Sequence, residues 1–327
     1  MKTIWIAAIA LLTACSSAAT SADTPPIYDG PMLIVGNKGE DTVSFINLDD
    51  GTELARRDTS ADAPHEIALS PDLSRAAVVN YGDRLIDIFD LETLTIIDTI
   101  DLGDNSRPHG IKWLADGRII ATTEGGQSLV DISRSGEVVG IRTDEDGTHM
   151  VAVSPDGSRA YTANLGAGTI SLIDLDADRL IRTVPAGAGT EGIDLTPDGG
   201  ELWVSNRSAD SVIVYDAANL DELARLDVGG FPLRLVISPD GRDAVTSNLT
   251  DGSLSVIDVA SRTLTRTIPV SGNAAAQQVT ILFSADGSRL YVAETGTDTV
   301  AEVEFDTGTV LRRIPVGRQG DGLAIRD

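Results

Sequence analysis

The chain has 327 residues and three histidines, and the histidines fall at a near-regular interval: His65, His109 and His149. Imidazole is a common ligand for borderline divalent metals. Three of them with one or two carboxylates match the donor sets used for Zn²⁺, and they also suit copper or iron. The same interval continues to Glu191, Leu233, Val279 and Asp321, in steps of 44, 40, 42, 42, 46 and 42 residues from His65 onward. If the series closes on itself, five consecutive positions (Asp321, His65, His109, His149 and Glu191) offer metal-ligating side chains and two offer apolar ones. Such a column is a metal or ligand site only if its members converge. Otherwise each imidazole serves a local hydrogen bond to its neighbour.

The first six members of the column each stand five residues before a turn. The turns are Ser70-Pro71-Asp72-Leu73, Leu114-Ala115-Asp116-Gly117, Ser154-Pro155-Asp156-Gly157, Thr196-Pro197-Asp198-Gly199, Ser238-Pro239-Asp240-Gly241 and Ser284-Ala285-Asp286-Gly287. Proline pre-sets φ at the first central position, and glycine takes the φ > 0 position that closes a three-residue hairpin. The fullest copy, residues 147–188, reads as four short strands at 150–153, 159–163, 169–174 and 179–184. Four strands repeating near 40 residues are the signature of a β-propeller blade. A seventh copy is split between the termini. Residues 320–325 match the start of a blade and then stop, while 31–37, 42–47 and 53–59 supply three strands that lack a first. The expected fold is all-β: a seven-bladed β-propeller of four-stranded blades, closed by pairing of the C-terminal strand with the N-terminal blade.

The segments SPDGSRAYTAN, SADGSRLYVAE, GTISLIDLDADRLIRTVPAG and GSLSVIDVASRTLTRTIPVSG resemble the YVTN-type (YncE-like) propeller repeat, over about residues 30–327. The resemblance implies that the first strand of each blade lines a central channel and that the histidine column sits at the channel mouth. It implies little about activity, because propellers host many unrelated functions. THMVAVSPDG followed by NLGAGTI is similar to lactonase propellers, whose paired-histidine strand start is missing here.

Two further columns accompany the histidines. Asn47, Asp90, Asp131, Asp174, Asp216, Asp258 and Glu304 close the third strands, where a short polar acceptor satisfies backbone N–H groups of the following turn. Asn37, Asn80, Glu124, Asn164, Asn206, Asn248 and Glu294 are read as closing the second strands. The loops starting at Asn80, Glu124, Asn164 and Asn206 are expected to open on the face of the histidine column. The candidate metal ligands are therefore His65, His109 and His149, and the candidate ligand-binding residues are Asp321, Glu191, Asn80, Glu124 and Asn164. The expected cofactor is one divalent metal, zinc or copper.

Composition bounds the rest. Aromatic residues are 4% of the chain, so blades must pack through Val, Ile, Leu and Ala. Pro185, Pro269 and Pro315 fit outermost strands, where proline blocks edge-to-edge pairing. The net charge of −25 and the lack of a basic patch with interleaved aromatics exclude nucleic acid as a partner. Residues 1–14 carry one charge, Lys2, and an apolar run at 4–12 that is too brief to span a membrane permanently, which reads as a secretory signal. Leu12-Thr13-Ala14-Cys15 resembles the bacterial lipobox, which implies cleavage before Cys15 and a lipid on its sulfur. The other reading is an ordinary signal with an incidental cysteine.

Residues 15–29 read as a flexible tether and 30–327 as the propeller, and Ser16 resembles outer-membrane sorting. The expected location is the cell envelope, as a periplasmic outer-membrane lipoprotein attached to the membrane by its lipid. Cys15 is the only cysteine, so disulfides are excluded. There is no phosphate loop, metalloprotease helix motif or CxxC. The functions compatible with these features are a binding or scaffold protein with a metal, ligand or protein partner at the channel mouth, a propeller enzyme (lactonase-like hydrolase or metal-dependent oxidoreductase), and a structural surface protein.

Overall fold

A computed structural model describes residues 28–327, so the signal segment, Cys15 and most of the tether lie outside the described residues. Among the described residues twenty-eight strands form seven four-stranded antiparallel sheets, six of them ordered as successive strands from channel to rim. Blades 1 to 6 begin with the innermost strands Pro64–Leu69, Pro108–Trp113, Thr148–Val153, Thr190–Leu195, Pro232–Ile237 and Gln278–Phe283. Blade 7 joins the two ends of the chain. Its innermost strand, Gly320–Arg326, pairs with Met32–Asn37, and Thr42–Asn47 and Glu53–Asp58 complete the sheet. The ring therefore closes as the split seventh repeat required.

The turn chemistry holds, with one exception in kind. Gly117, Gly157, Gly199, Gly241 and Gly287 adopt φ between +71° and +90°, and Leu73 adopts +57° at the same place. In five third strands the closing column caps the next turn as expected. For example, Asp90 Oδ1 accepts from Glu92 and Thr93 N–H at 3.1 and 2.7 Å, and Asp216 Oδ1 from Ala218 N–H at 2.9 Å. Asp131 and Glu304 differ. They pair with Arg118 (2.6 Å) and with Arg289 and Thr307 (3.4 and 2.8 Å).

The core lies between blades rather than inside one. Val204, Ile213 and Tyr215 of blade 4 pack on Tyr161, Ile170 and Leu172 of blade 3, and equivalent aliphatic layers recur around the ring. Of the two tryptophans among the described residues only Trp203 is fully buried, consistent with packing through aliphatic side chains. Outermost strands consist mainly of exposed and half-buried residues, and three of them end in exposed Pro185, Pro269 and Pro315. Several also carry a bulge whose extra residue is an exposed Ile97, Ile181, Leu223 or Leu311. A bulge twists an edge strand and breaks its ladder, which protects the outer rim from pairing with another chain.

The innermost strands carry a second bulge, and this one positions the site. In blade 1 Pro64 pairs Asn80 and Ile67 pairs Val78, so His65 and Glu66 together face the single residue Val79. All seven blades shift register at this point. The second position of this step is glycine in three blades because the neighbouring inner strand is close. A Cβ on Gly192 would sit 2.5 Å from Leu235 N, and one on Gly110 would sit 2.9 Å from Val151 N. Side-chain hydroxyls bridge the step between blades: Ser205 Oγ accepts from Gly192 N–H at 3.0 Å and donates to Leu233 O at 3.2 Å.

Deleting residues 320–327 removes the only strand that covers the channel edge of Met32–Asn37 and uncovers the apolar residues beneath Leu323 and Ala324. The expected result is aggregation, or a melting temperature lower by more than about 10 °C. Unchanged melting would overturn the closing role of this strand.

Candidate functional site

Every member of the histidine column is the second residue of an innermost strand, and all seven are buried. They converge on a cavity of about 610 Å³ at one end of the channel, which includes Asp321, His65, His109, His149, Glu191, Leu233 and Val279 in its wall. The imidazoles of neighbouring blades stack. Ring centroids are 4.1 Å apart for His65 and His109 and 3.6 Å for His109 and His149.

Glu124 also lines this cavity, whereas Asn80 and Asn164 do not. The reason is a shorter turn in blade 2. Leu114 N–H bonds Arg118 O, four residues on, where Ser154 N–H bonds Arg159 O, five residues on. Blade 2 is thus one residue ahead, and Thr123 rather than Glu124 pairs Pro108 at the place where Asn80 pairs Pro64. Asn80 and Asn164 are fully buried inside their blades. Asn80 Nδ2 donates to Asp87 at 2.9 Å, and Asn164 Nδ2 to Thr169 and Ser171 at 3.0 and 2.9 Å. Thr123 makes the matching bond with Ser128 at 2.7 Å. Glu124 belongs instead with Lys38, Tyr81, Leu165 and Arg207, which follow the second strands and face the mouth.

The floor is built by a residue the repeat pattern does not mark. Arg234, next to Leu233 on the inner bulge of blade 5, is buried and spans the channel. It donates to Glu191 Oε1 of blade 4 at 2.8 Å and to Glu66 Oε1 of blade 1 at 2.8 Å. Burial disfavours its charge, but Glu66, Glu191 and Asp321 outweigh this and raise its pKa. The signal was the Leu233-Arg234 pair beside an apolar member of the column, legible only once the bulge turns two consecutive residues toward the channel.

Each remaining carboxylate of the wall has a cation over it. Lys38 Nζ lies 2.5 Å from Asp321, Arg207 2.7 Å from Glu191 and Arg107 2.9 Å from Glu124. Tyr81 donates to Glu124 at 2.7 Å and is stacked by Arg107. Burial pushes the Glu191 carboxyl up, but the His149 contact and the two guanidinium groups hold it at about 2. Asp321 is likewise held well below the usual carboxylate range against its burial, by His65, Lys38 and Arg234.

The surroundings move the three imidazole pKa values in different directions. Burial lowers His65 to about 4, despite Asp321 at 3.4 Å from its Nε2. Burial, with the charge of His149, holds His109 well below the ordinary histidine range. Burial also opposes charge on His149, but Glu124 on Nδ1 at 2.6 Å and Glu191 near Nε2 outweigh it and raise the pKa. The Nε2–Glu191 distance is 3.4 Å, an ion-pair contact too poorly aligned to be a hydrogen bond. His65 Nδ1, His109 Nδ1 and His149 Nε2 are all buried without a hydrogen-bond partner.

As metal donors, the residues fall into two overlapping groups, His65–Glu66–His109 and His109–Glu124–His149. Within each group one ligand atom per residue lies within 4.8 Å of the others. Among the described residues no such group contains all three imidazoles.

No protein-family model matches the chain, and no curated protein matches it. Its likeness is to solved structures. The hydrazine synthase of Kuenenia stuttgartiensis aligns with TM-score 0.74 and 18% identity, covering 89% of this chain and 99% of that one. A functionally unknown protein of Desulfotomaculum acetoxidans DSM 771 aligns with TM-score 0.75 and 17% identity, over 90% and 98%. A candidate 6-phosphogluconolactonase of Bacteroides fragilis NCTC 9343 aligns with TM-score 0.71 and 19% identity, over 95% and 100%. At these identities the shared property is the propeller fold.

The buried neutral His65 makes stability pH-dependent. Between about pH 6.5 and 4 the unfolded chain binds a proton there that the folded chain does not, so stability falls as pH falls, by an amount on the order of 3 kcal/mol. Glu191 adds a further loss as pH falls from its ordinary range through about 2. His149 has the opposite sign. Its contribution is present below the ordinary histidine pKa and is lost as pH rises through its raised value. Urea denaturation of His65→Gln is expected to show a flatter pH 6.5–4 limb than the wild type. An identical slope would overturn the neutral, buried assignment.

Proposed function

We propose that the protein is a binding module with its site in the channel-mouth cavity, and that His109, Glu124 and His149 hold one divalent transition metal there, zinc or copper. The observation that carries this reading is the juxtaposition of three donor atoms within 4.8 Å, two of them on imidazoles with a buried, unpartnered nitrogen. Neutral imidazole and carboxylate are ordinary donors for both metals. A bound ion would supply a Lewis acid or, for copper, a redox centre. The chain's own residues orient the donors: Tyr81 and Arg107 fix Glu124, and Glu124 in turn fixes the His149 ring. The carboxylates Glu66, Glu124, Glu191 and Asp321 are all ion-paired, so they serve to hold the wall and the donors in place, which suits a binding site.

The repeat is assigned to the YVTN type on its sequence resemblance, and the protein to the periplasmic side of the outer membrane through lipid on Cys15. The place where the chain enters the ring is compatible with this attachment. The innermost strand of blade 7 has Asp321 at the cavity and Arg326 at its far end, where Arg326 bonds Tyr28 O and Gly30 O at 2.8 and 3.0 Å. The chain at Tyr28 thus meets the ring on the face opposite the cavity, so a tether leading from it to a lipid on Cys15 need not cross the mouth.

Elemental analysis after zinc or copper loading is expected to find one ion per chain in the wild type and little in His109→Ala or His149→Ala, with His65→Ala retaining it. Loss in His65→Ala with retention in His149→Ala would move the ion to the His65–Glu66–His109 group, and a wild type that takes up neither metal ends the metal reading. Cys15→Ser is expected to move the folded protein from the outer-membrane to the soluble periplasmic fraction. Continued membrane partitioning would refute the anchor.

A further inference from the structure

We infer that the channel mouth recognises a small organic anion, one with a carboxylate, phosphate or sulfonate head and an apolar body. The inference rests on the cavity being a ligand site but not on the metal. The chain carries 50 acidic residues against 25 lysines and arginines, yet the polar groups this mouth offers to solvent are mainly cationic. The side chains of Lys38, Arg107 and Arg207 are 32%, 53% and 32% exposed, whereas Asp321, Glu124 and Glu191 beneath them are 2%, 10% and 3% exposed. Each carboxylate is therefore screened from above by the cation that pairs with it. An approaching ligand meets N–H donors first.

Those donors are not used up. A guanidinium has five N–H groups. Arg207 commits one nitrogen to Glu191, and Arg107 directs one nitrogen to Glu124 and the Tyr81 hydroxyl. An aromatic ring lies beneath each guanidinium: the Cζ of Arg207 is 5.3 Å from the Phe231 ring centroid and that of Arg107 is 4.7 Å from the Tyr81 centroid. Planar donors held in this way suit carboxylate and phosphate oxygens. Besides the imidazoles, the remaining wall is mainly apolar, with Leu165, Leu233, Val279 and Ala63 and one amide, Gln319. A volume of about 610 Å³ is within the range that accepts a small organic molecule.

The carboxylates beneath make the cations stay. Arg207 and Arg107 are held over the mouth by buried partners, so a ligand does not bear the full cost of ordering two long side chains. A metal cation alone leaves this outer layer unused, which separates the two readings of the cavity.

The test uses the full-length chain in detergent, stripped of metal, with phenyl phosphate and its neutral counterpart benzyl alcohol as calorimetric probes. Phenyl phosphate is expected to bind at least about tenfold more tightly than benzyl alcohol, and this margin should shrink at high salt. Arg107→Gln and Arg207→Gln should each weaken phenyl phosphate by about tenfold without altering benzyl alcohol, and Arg→Lys at either site should restore part of the loss. If Arg207→Gln uncovers Glu191 and fails to fold, the more exposed Arg107→Gln carries the test. Equal affinity for the two probes, or phenyl phosphate binding indifferent to Arg107→Gln, overturns the inference. Phenyl phosphate binding with uptake of neither Zn²⁺ nor Cu²⁺ refutes the metal alone, and uptake of either metal without phenyl phosphate binding refutes the anion alone.

Discussion

The interaction on which the cavity depends is the Arg234 bridge. A seven-bladed ring leaves a channel along its axis, and here a single buried guanidinium crosses it from blade 5 to Glu191 of blade 4 and Glu66 of blade 1. The bridge turns an open channel into a floored cavity. A buried cation with two hydrogen-bonded carboxylates is not itself a large source of stability, since desolvation offsets the attraction. Removing one partner, however, leaves uncompensated charge at a cost of about 3–5 kcal/mol. Its contribution is to fix the relative positions of blades that share no sheet, and with them the distances across the mouth.

A backbone irregularity makes the bridge available. In a regular strand Leu233 and Arg234 would face opposite sides of the sheet. The register shift after Pro232 aims Leu233 at the mouth and Arg234 across the channel below it. The same step in blade 1 brings His65 and Glu66 together, so one repeated bulge supplies both layers of the site. Bulges commonly re-aim side chains in this way. Where the second residue has no role in the channel it is often glycine, because neighbouring strand starts are nearly in contact.

Charge is sorted by depth. The three imidazoles, paired carboxylates and a buried arginine form the inner layer, and half-exposed cations form the outer one. The cations and carboxylates of the cavity balance in number, so what distinguishes the mouth is their order in depth, with the cations outermost.

Blade number, strand order and ring closure were legible in the sequence because they rest on local chemistry that repeats: the Pro-Asp-Gly turns, the alternating apolar strands and the split seventh copy. The histidine column was legible for the same reason, since residues at one repeat position must meet around one axis. The capping role of Asp90, Asp174, Asp216 and Asp258 followed from the short reach of an aspartate to its own turn.

What lay beyond the sequence was set by register and by distance in space. One residue fewer in the blade 2 turn moved Glu124 out of the asparagine column and into the mouth, while Asn80 and Asn164 became staples inside their blades. Arg234 and Glu66 are 168 positions apart and meet only because the ring folds back on itself. The stacking that divides three imidazoles into two overlapping donor groups is likewise a matter of how neighbouring blades are spaced, and side-chain identity does not encode it. Repetition along a chain determines which residues share a level around the axis, and only the packed ring decides which of them touch.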